Sequence, residues 1–257
     1  MKDEMSGRMR TYLRSPAGCD GGNIAGANWL FGVEPGGAVS AEVFNSLEIG
    51  PEHGHVAEHD VVRFAEECPY NRNLAKFEAA RLGWPVGAYR EFAEEARLFS
   101  RGSEYYKGNV GAFNFPHDDR ESFEPYKELI GLSSKQELKR LEIDVRAEMF
   151  QEWLHKQRPS CLICFGTGDS DRFLRAFSDR TGSREGWHRL EGLRYYHSIV
   201  NGGRTSLFIL PHLTAPFHQG LTSDYRLTAF GDRVRATMIA EDFELVGPRP
   251  SPQAGSA

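Results

Sequence analysis

The sequence predicts a three-layer α/β/α fold around a central, mostly parallel sheet, and three observations predict it. Short apolar runs of strand length alternate with longer stretches at helical spacing. One run, Cys161-Leu162-Ile163-Cys164-Phe165, is apolar on both faces, as a central parallel strand with helices above and below it must be. Three polar loops bearing Gly or Pro, after Val33, Phe113 and Leu210, sit where the carboxyl ends of strands are expected. In open α/β sheets that is where ligands bind.

The elements follow in order. Residues 1–17 are charged and read as a flexible arm. The turn-forming stretch Gly18-Cys19-Asp20-Gly21-Gly22-Asn23 leads into a strand over 28–33, which stops at Glu34-Pro35-Gly36-Gly37. Leu74, Phe77 and Ala80 predict a helix over 73–82; Tyr89, Phe92, Ala93 and Ala96 predict another over 86–99. Residues 108–116 read as a second strand end with its loop. Ser134 and Glu137 have capping-box spacing, so two backbone donors can be satisfied at the start of a helix over 135–157. Leu138, Leu141, Val145, Met149 and Trp153 give that helix one apolar stripe, and Pro159 closes it. Beyond the apolar run, Gly166-Thr167-Gly168-Asp169 turns into a helix over 171–177. Strands over 195–200 and 207–210 follow, the latter running into Pro211-His212-Leu213-Thr214. Leu227, Phe230, Val234 and Met238 mark a last helix over 224–242, and 247–257 read as a disordered tail. Residues 18–246 are therefore expected to form one domain.

Composition narrows the class. With 40% hydrophobic and 26% charged residues the chain is neither fibrous nor disordered. No apolar run reaches bilayer length, and Met1 to Arg14 lacks the apolar middle of a signal peptide, so a cytoplasmic protein without membrane contact is expected. Cys19, Cys68, Cys161 and Cys164 suit reduced thiols better than a disulfide framework. A formal net charge of -5 means that any nucleic-acid contact needs a local basic face, for which Arg184, Arg189, Arg194, Arg204, Arg226, Arg233 and Arg235 are candidates.

Three loops carry the candidate chemistry. Glu34 stands between a strand and a rigid Pro-Gly-Gly turn whose Gly36 and Gly37 amides can cradle an anionic oxygen. His212, just past an apolar strand, can donate a hydrogen bond to developing negative charge. Asn114, between Phe113 and Phe115, offers a donor and an acceptor for the edge of a base, with an aromatic face for stacking.

Taken together, Gly32-Val33-Glu34-Pro35-Gly36, Asn114 before Phe115-Pro116, and Pro211-His212-Leu213-Thr214 resemble the motifs of the uracil-DNA glycosylase superfamily, in the same order. The stretch 158–166 resembles that superfamily's central strand and the glycine after it. The resemblance implies a monofunctional DNA glycosylase that flips a damaged or modified base and hydrolyses its N-glycosidic bond to leave an abasic site. It implies Glu34 and His212 as catalytic groups, Asn114, Phe113 and Phe115 as base readers, and Gly36, Gly37, Thr214 and Arg226 as phosphate contacts. Uracil, a modified pyrimidine and a phage hypermodified cytosine are candidate bases, because Glu34 replaces the usual Asp or Asn and Leu213-Thr214 replaces Pro-Ser. Repair and phage defence are both compatible settings. DNA is the expected partner, the protein is expected to be a monomer, and no cofactor is implied. Two rival readings stand beside it. His53, His55 and His59 are close enough in sequence to ligate a metal in a hydrolase. A relative that binds nucleic acid without catalysis is the other.

Overall fold

The computed structural model describes residues 2–35, 55–113, 134–178, 186–216 and 218–250. Among them the chain forms seven helices and seven strands. The helices are α1 (Lys2–Leu13), α2 (Val61–Glu67), α3 (Pro69–Arg81), α4 (Tyr89–Ala96), α5 (Lys135–Gln157), α6 (Ser170–Phe177) and α7 (Asp224–Ala240). The strands are β1 (Gly21–Gly22), β2 (Asn28–Gly32), β3 (Tyr105–Asn109), β4 (Cys161–Phe165), β5 (Trp187–Leu190), β6 (Leu193–Val200) and β7 (Thr205–Leu210). They make one mixed sheet in the order β1-β3-β2-β4-β7-β6-β5. The inner four, β3-β2-β4-β7, are parallel, while β1, β6 and β5 each run antiparallel to a neighbour.

The parallel strands are buried from end to end because both faces are covered. Leu30, Ile163, Phe208 and Leu210 join Leu74, Phe77, Phe230 and Val234 in one core, beneath α3 and α7. Trp29, Phe31, Leu162 and Ile209 join Phe150, Leu154, Phe173 and Phe177 in the other, beneath α5 and α6. The two-residue period of a strand splits Cys161 and Cys164 between these cores, so they cannot serve one ligand set.

Several boundaries differ from expectation for identifiable reasons. The expected arm is a helix: Met9, Tyr12 and Leu13 recur at helical spacing and are buried, with Leu13 0% exposed, a stripe that the surrounding charges conceal in the sequence. The start of the expected tail is tied down, as far as Pro248. Asn28 Nδ2 donates to the Val246 carbonyl (3.0 Å), and Trp84 Nε1 to that of Pro248 (2.9 Å). Residues 251–257 lie outside the described residues. Helix α3 starts four residues early because Cys68 caps it and Pro69 sits in its first turn. The helix expected over 86–99 is a 3-10 turn followed by α4, which Arg97 ends in the left-handed conformation (φ 49°). The half-exposed edge strand β5, the two-residue β1 and α2 carry too little periodicity to be read. Strand β3 ends at Asn109, before the expected loop. Among the described residues no helix is long and apolar enough to cross a membrane.

Helices α3 and α7 cross closely at Gly231, where an added Cβ would lie 2.7 Å from Ala80 Cβ and 2.8 Å from the Arg81 backbone nitrogen. Gly231→Ala gains about 1 kcal/mol of helix propensity, but overpacking against rigid backbone costs about 1–3 kcal/mol. The variant is expected to be less stable in urea denaturation; a midpoint at or above wild type would show that the crossing is loose.

Candidate active site at the carboxyl ends of the parallel strands

The chain leaves β2 for β3 on one side and returns to β4 on the other, so the strand order reverses at β2. Ligands in open α/β sheets bind in the crevice outside such a reversal. A cavity of about 1040 Å³ opens there, lined by Gly32 at the end of β2 and Glu34 after it, Asn109 at the end of β3, Asp169 after β4 and His212 after β7. Glu34 and His212, far apart in sequence, thus share one cavity.

Glu34 is set by cations. Lys139 Nζ lies 3.3 Å and Arg172 Nη1 3.4 Å from its Oε1. Arg172 also approaches Asp169 Oδ1 (3.6 Å) and Glu142 Oε2 (3.4 Å). Glu142 is buried on α5 and accepts hydrogen bonds from the backbone amides of Ala112 and Phe113, the second at 3.1 Å. Burial pushes its carboxyl up, against the opposing pull of Arg146 and Arg172. One turn along α5, Arg146 donates to the carbonyls of Val110 (2.9 Å) and Asn109 (3.1 Å). Gly111 passes so close that a Cβ would lie 2.9 Å from the Val33 carbonyl oxygen and 3.2 Å from Glu34 Cγ. The loops after β2 and β3 are therefore held against each other.

His212 packs against the Tyr70 ring, centroids 5.5 Å apart. Its Nδ1 accepts from the Thr214 amide (3.2 Å), which assigns the ring proton to Nε2. Burial pulls the imidazole below its ordinary range, with the Asp169 carboxylate pulling the other way. Leu213 is fully buried and Asn73 Nδ2 donates to its carbonyl (2.8 Å), so the leucine anchors the loop to the core. A neutral imidazole with a fixed Nε2 proton can donate to an oxygen or nitrogen that gains negative charge.

The other expected residues divide. Phe113 is 2% exposed and stacked on Tyr12 (5.3 Å, 13°), so the ring expected to read a base belongs to the core. Thr214 is exposed, and both its amide and its hydroxyl meet His212 Nδ1 (3.2 Å each). Arg226 Nη1 donates to the Gly220 carbonyl (3.1 Å), bracing the loop after β7 rather than reaching outward. Gly36, Gly37, His53, Asn114 and Phe115 lie outside the described residues. His55 lines a neighbouring hollow, and His59 is exposed beside Asp60 (3.6 Å). Among the described residues no group of three or more His, Cys, Asp or Glu side chains could hold a metal ion.

Sequence reasoning missed Asn109, Lys107, Asp20 and Tyr70. Asn109 presents an amide to the cavity, its Nδ2 donating to the Gly18 carbonyl (2.7 Å) and its oxygen lying where any side chain on Gly32 would collide. Lys107 enters the cavity between the rings of Phe64 and Tyr70, bound to Asp20 Oδ2 (2.8 Å) and Asn71 Oδ1 (3.0 Å). Its signal is faint: a lysine inside the buried strand Tyr105–Asn109 demands a partner. A further grouping, Ser206 Oγ 3.1 Å and Glu241 Oε2 3.2 Å from His197, meets at the same imidazole nitrogen, Nε2. A relay needs the two ring nitrogens to serve different partners, and Ser206 is fully buried, so this cluster is structural.

The Lys107–Asp20 pair is asymmetric, with side chains 9% and 34% exposed. Asp20→Ala removes the counter-charge of a buried ammonium, leaving it only Asn71 and two rings, and is expected to cost about 3 kcal/mol, whereas Lys107→Met lets Asp20 rehydrate and is expected to cost about 1 kcal/mol. Equal losses in chemical denaturation would contradict this account.

No family model, no curated protein and no solved structure matches the chain, so a functional reading rests on the side chains around this cavity.

Proposed function

We propose that the protein is a DNA N-glycosylase of the kind its motifs resemble, acting on a flipped damaged or modified base. The observation that carries the reading is the meeting of a carboxylate, Glu34, and a neutral histidine, His212, at the carboxyl ends of β2 and β7 over one cavity. Cleaving an N-glycosidic bond sends the bonding electrons to the base and leaves an oxocarbenium-like sugar. Glu34 stabilises that cation and orients water toward the anomeric carbon, much as carboxylates do in glycoside hydrolysis. His212 donates its Nε2 proton in a hydrogen bond to the departing base. Asn109, on the same cavity, supplies amide recognition for the base edge beside the expected Asn114. Lys139, at the cavity wall and partly exposed, suits a flanking phosphate. Extruding the base costs a few kcal/mol of stacking.

Glu34 in place of the usual Asp or Asn, with Leu213-Thr214 in place of Pro-Ser, favours a modified pyrimidine over plain uracil. Lys107 and Lys139 are each paired with a carboxylate, which keeps them from acting as free amine nucleophiles and favours a simple abasic product.

The test is alkali-revealed strand cleavage in EDTA on oligonucleotides bearing uracil, other damaged bases or hypermodified cytosines. Abasic sites are expected quickly with wild type and far more slowly, though still measurably, with Glu34→Gln. Absence of product, with ester or phosphodiester hydrolysis appearing on adding zinc or manganese, would refute the reading and favour His53, His55 and His59. The turnover rate is expected to hold as pH drops through the ordinary histidine value of about 6.5 and to fall only further down. Burial lowers the His212 pKa, so the loss comes at the more acidic pH where a proton on Nδ1 breaks the bond from Thr214. In His212→Gln that acid limb should vanish, with the maximum rate about 100-fold lower.

A further inference from the structure

Two buried arginines in this protein pair in different ways. Arg81 places Nε (2.9 Å) and Nη2 (2.6 Å) on one carboxylate oxygen of Glu78, a short two-pronged pair remote from the cavity. Arg172, 9% exposed, is instead shared among three carboxylates at 3.4–3.6 Å: Glu34, Glu142 and Asp169. Its Nε is buried and makes no hydrogen bond among the described residues. Buried ion pairs about break even against apolar replacement, so geometry built for stability alone would favour the first arrangement. The second links separate pieces of chain. Asp169 lies after β4 and Glu34 after β2, and Glu142 holds the amides of Ala112 and Phe113 after β3. Lys139 adds a second cation to the same Glu34 oxygen, Oε1.

We propose that Arg172 is the positioning residue of the site. Together with Lys139 it fixes Glu34 by Oε1, which leaves Oε2 for the reaction, and through Glu142 it sets the distance between the loops after β2 and β3. The inference rests on the reading of Glu34 as the catalytic carboxylate. Arg172 touches no substrate; it acts through Glu34. Substitution therefore removes precision in the transition state and leaves substrate binding nearly intact.

A double-mutant cycle tests it, with Arg172→Met, Arg172→Lys, Glu34→Gln and the Arg172→Met/Glu34→Gln combination, each assayed for kcat and KM and for its urea midpoint. Arg172→Met is expected to lower kcat about 100-fold with KM changed no more than about two-fold, Arg172→Lys to regain about ten-fold, and Arg172→Met to cost under about two-fold on the Glu34→Gln background. Equal rate losses on both backgrounds, or no rescue by lysine, would overturn the proposal. The urea midpoints answer independently of turnover. Non-additive shifts support the Arg172–Glu34 tie even if no substrate is cleaved and the glycosylase reading fails. Additive shifts overturn the tie whatever the activity.

Discussion

Glu142 and Arg146, one helical turn apart on α5, hold together the part of the molecule that carries the candidate site. Between them they satisfy the amides of Ala112 and Phe113 and the carbonyls of Asn109 and Val110, as the chain leaves the sheet after β3. Arg146 also reaches the carbonyls of Leu13 and Ser15 (both 3.4 Å), where α1 ends. Backbone groups buried away from water must find partners, and here no neighbouring strand supplies them. Two side chains do, and their opposite charges offset the cost of burying either alone. The position of α1, the path of the loop after β3 and the seat of Arg172 all follow from this pair.

Much of the fold was legible because it is written in short-range patterns. The helix over 135–157 was readable from Ser134, Glu137 and one apolar stripe, and the Ser134 hydroxyl does accept from the Glu137 amide (3.2 Å). Strand β4 was readable because burial on both faces leaves no alternation to misread. The helix α1 was not, since charges flank its buried residues and its partners, such as Arg146, lie 131–133 positions away. The end of β3 was misplaced for a related reason: residues 110–113 are apolar like a strand, yet a side chain, not a neighbouring strand, holds the amides of Ala112 and Phe113.

The candidate site was legible in its reactive groups and opaque in its supports. Glu34 and His212 stand out because each follows an apolar run directly and precedes turn-forming residues. Arg172 sits 138 positions from Glu34, on a short helix where a charge reads as a solvated face. Nothing local marks it as buried. The same holds for Lys107, whose partners Asp20 and Asn71 lie 87 and 36 positions before it in the chain. Phe113 shows the reverse error: an aromatic beside a polar loop suggested a stacking platform, but Tyr12 already covers it.

The two-residue strand β1 has a consequence for the molecule in a crowded solution. Parallel sheets end in rows of unpaired amides and carbonyls that can recruit another chain, and long flat edges are the hazard. Here Gly21 and Gly22 pair antiparallel with Lys107 and Tyr106 and present an edge too short to template further strands. At the opposite side β5 is four residues long and carries an exposed arginine, Arg189, and a charge on an edge strand discourages pairing with a second copy. Among the described residues the sheet therefore offers only short strands at both margins, two residues in β1 and four in β5.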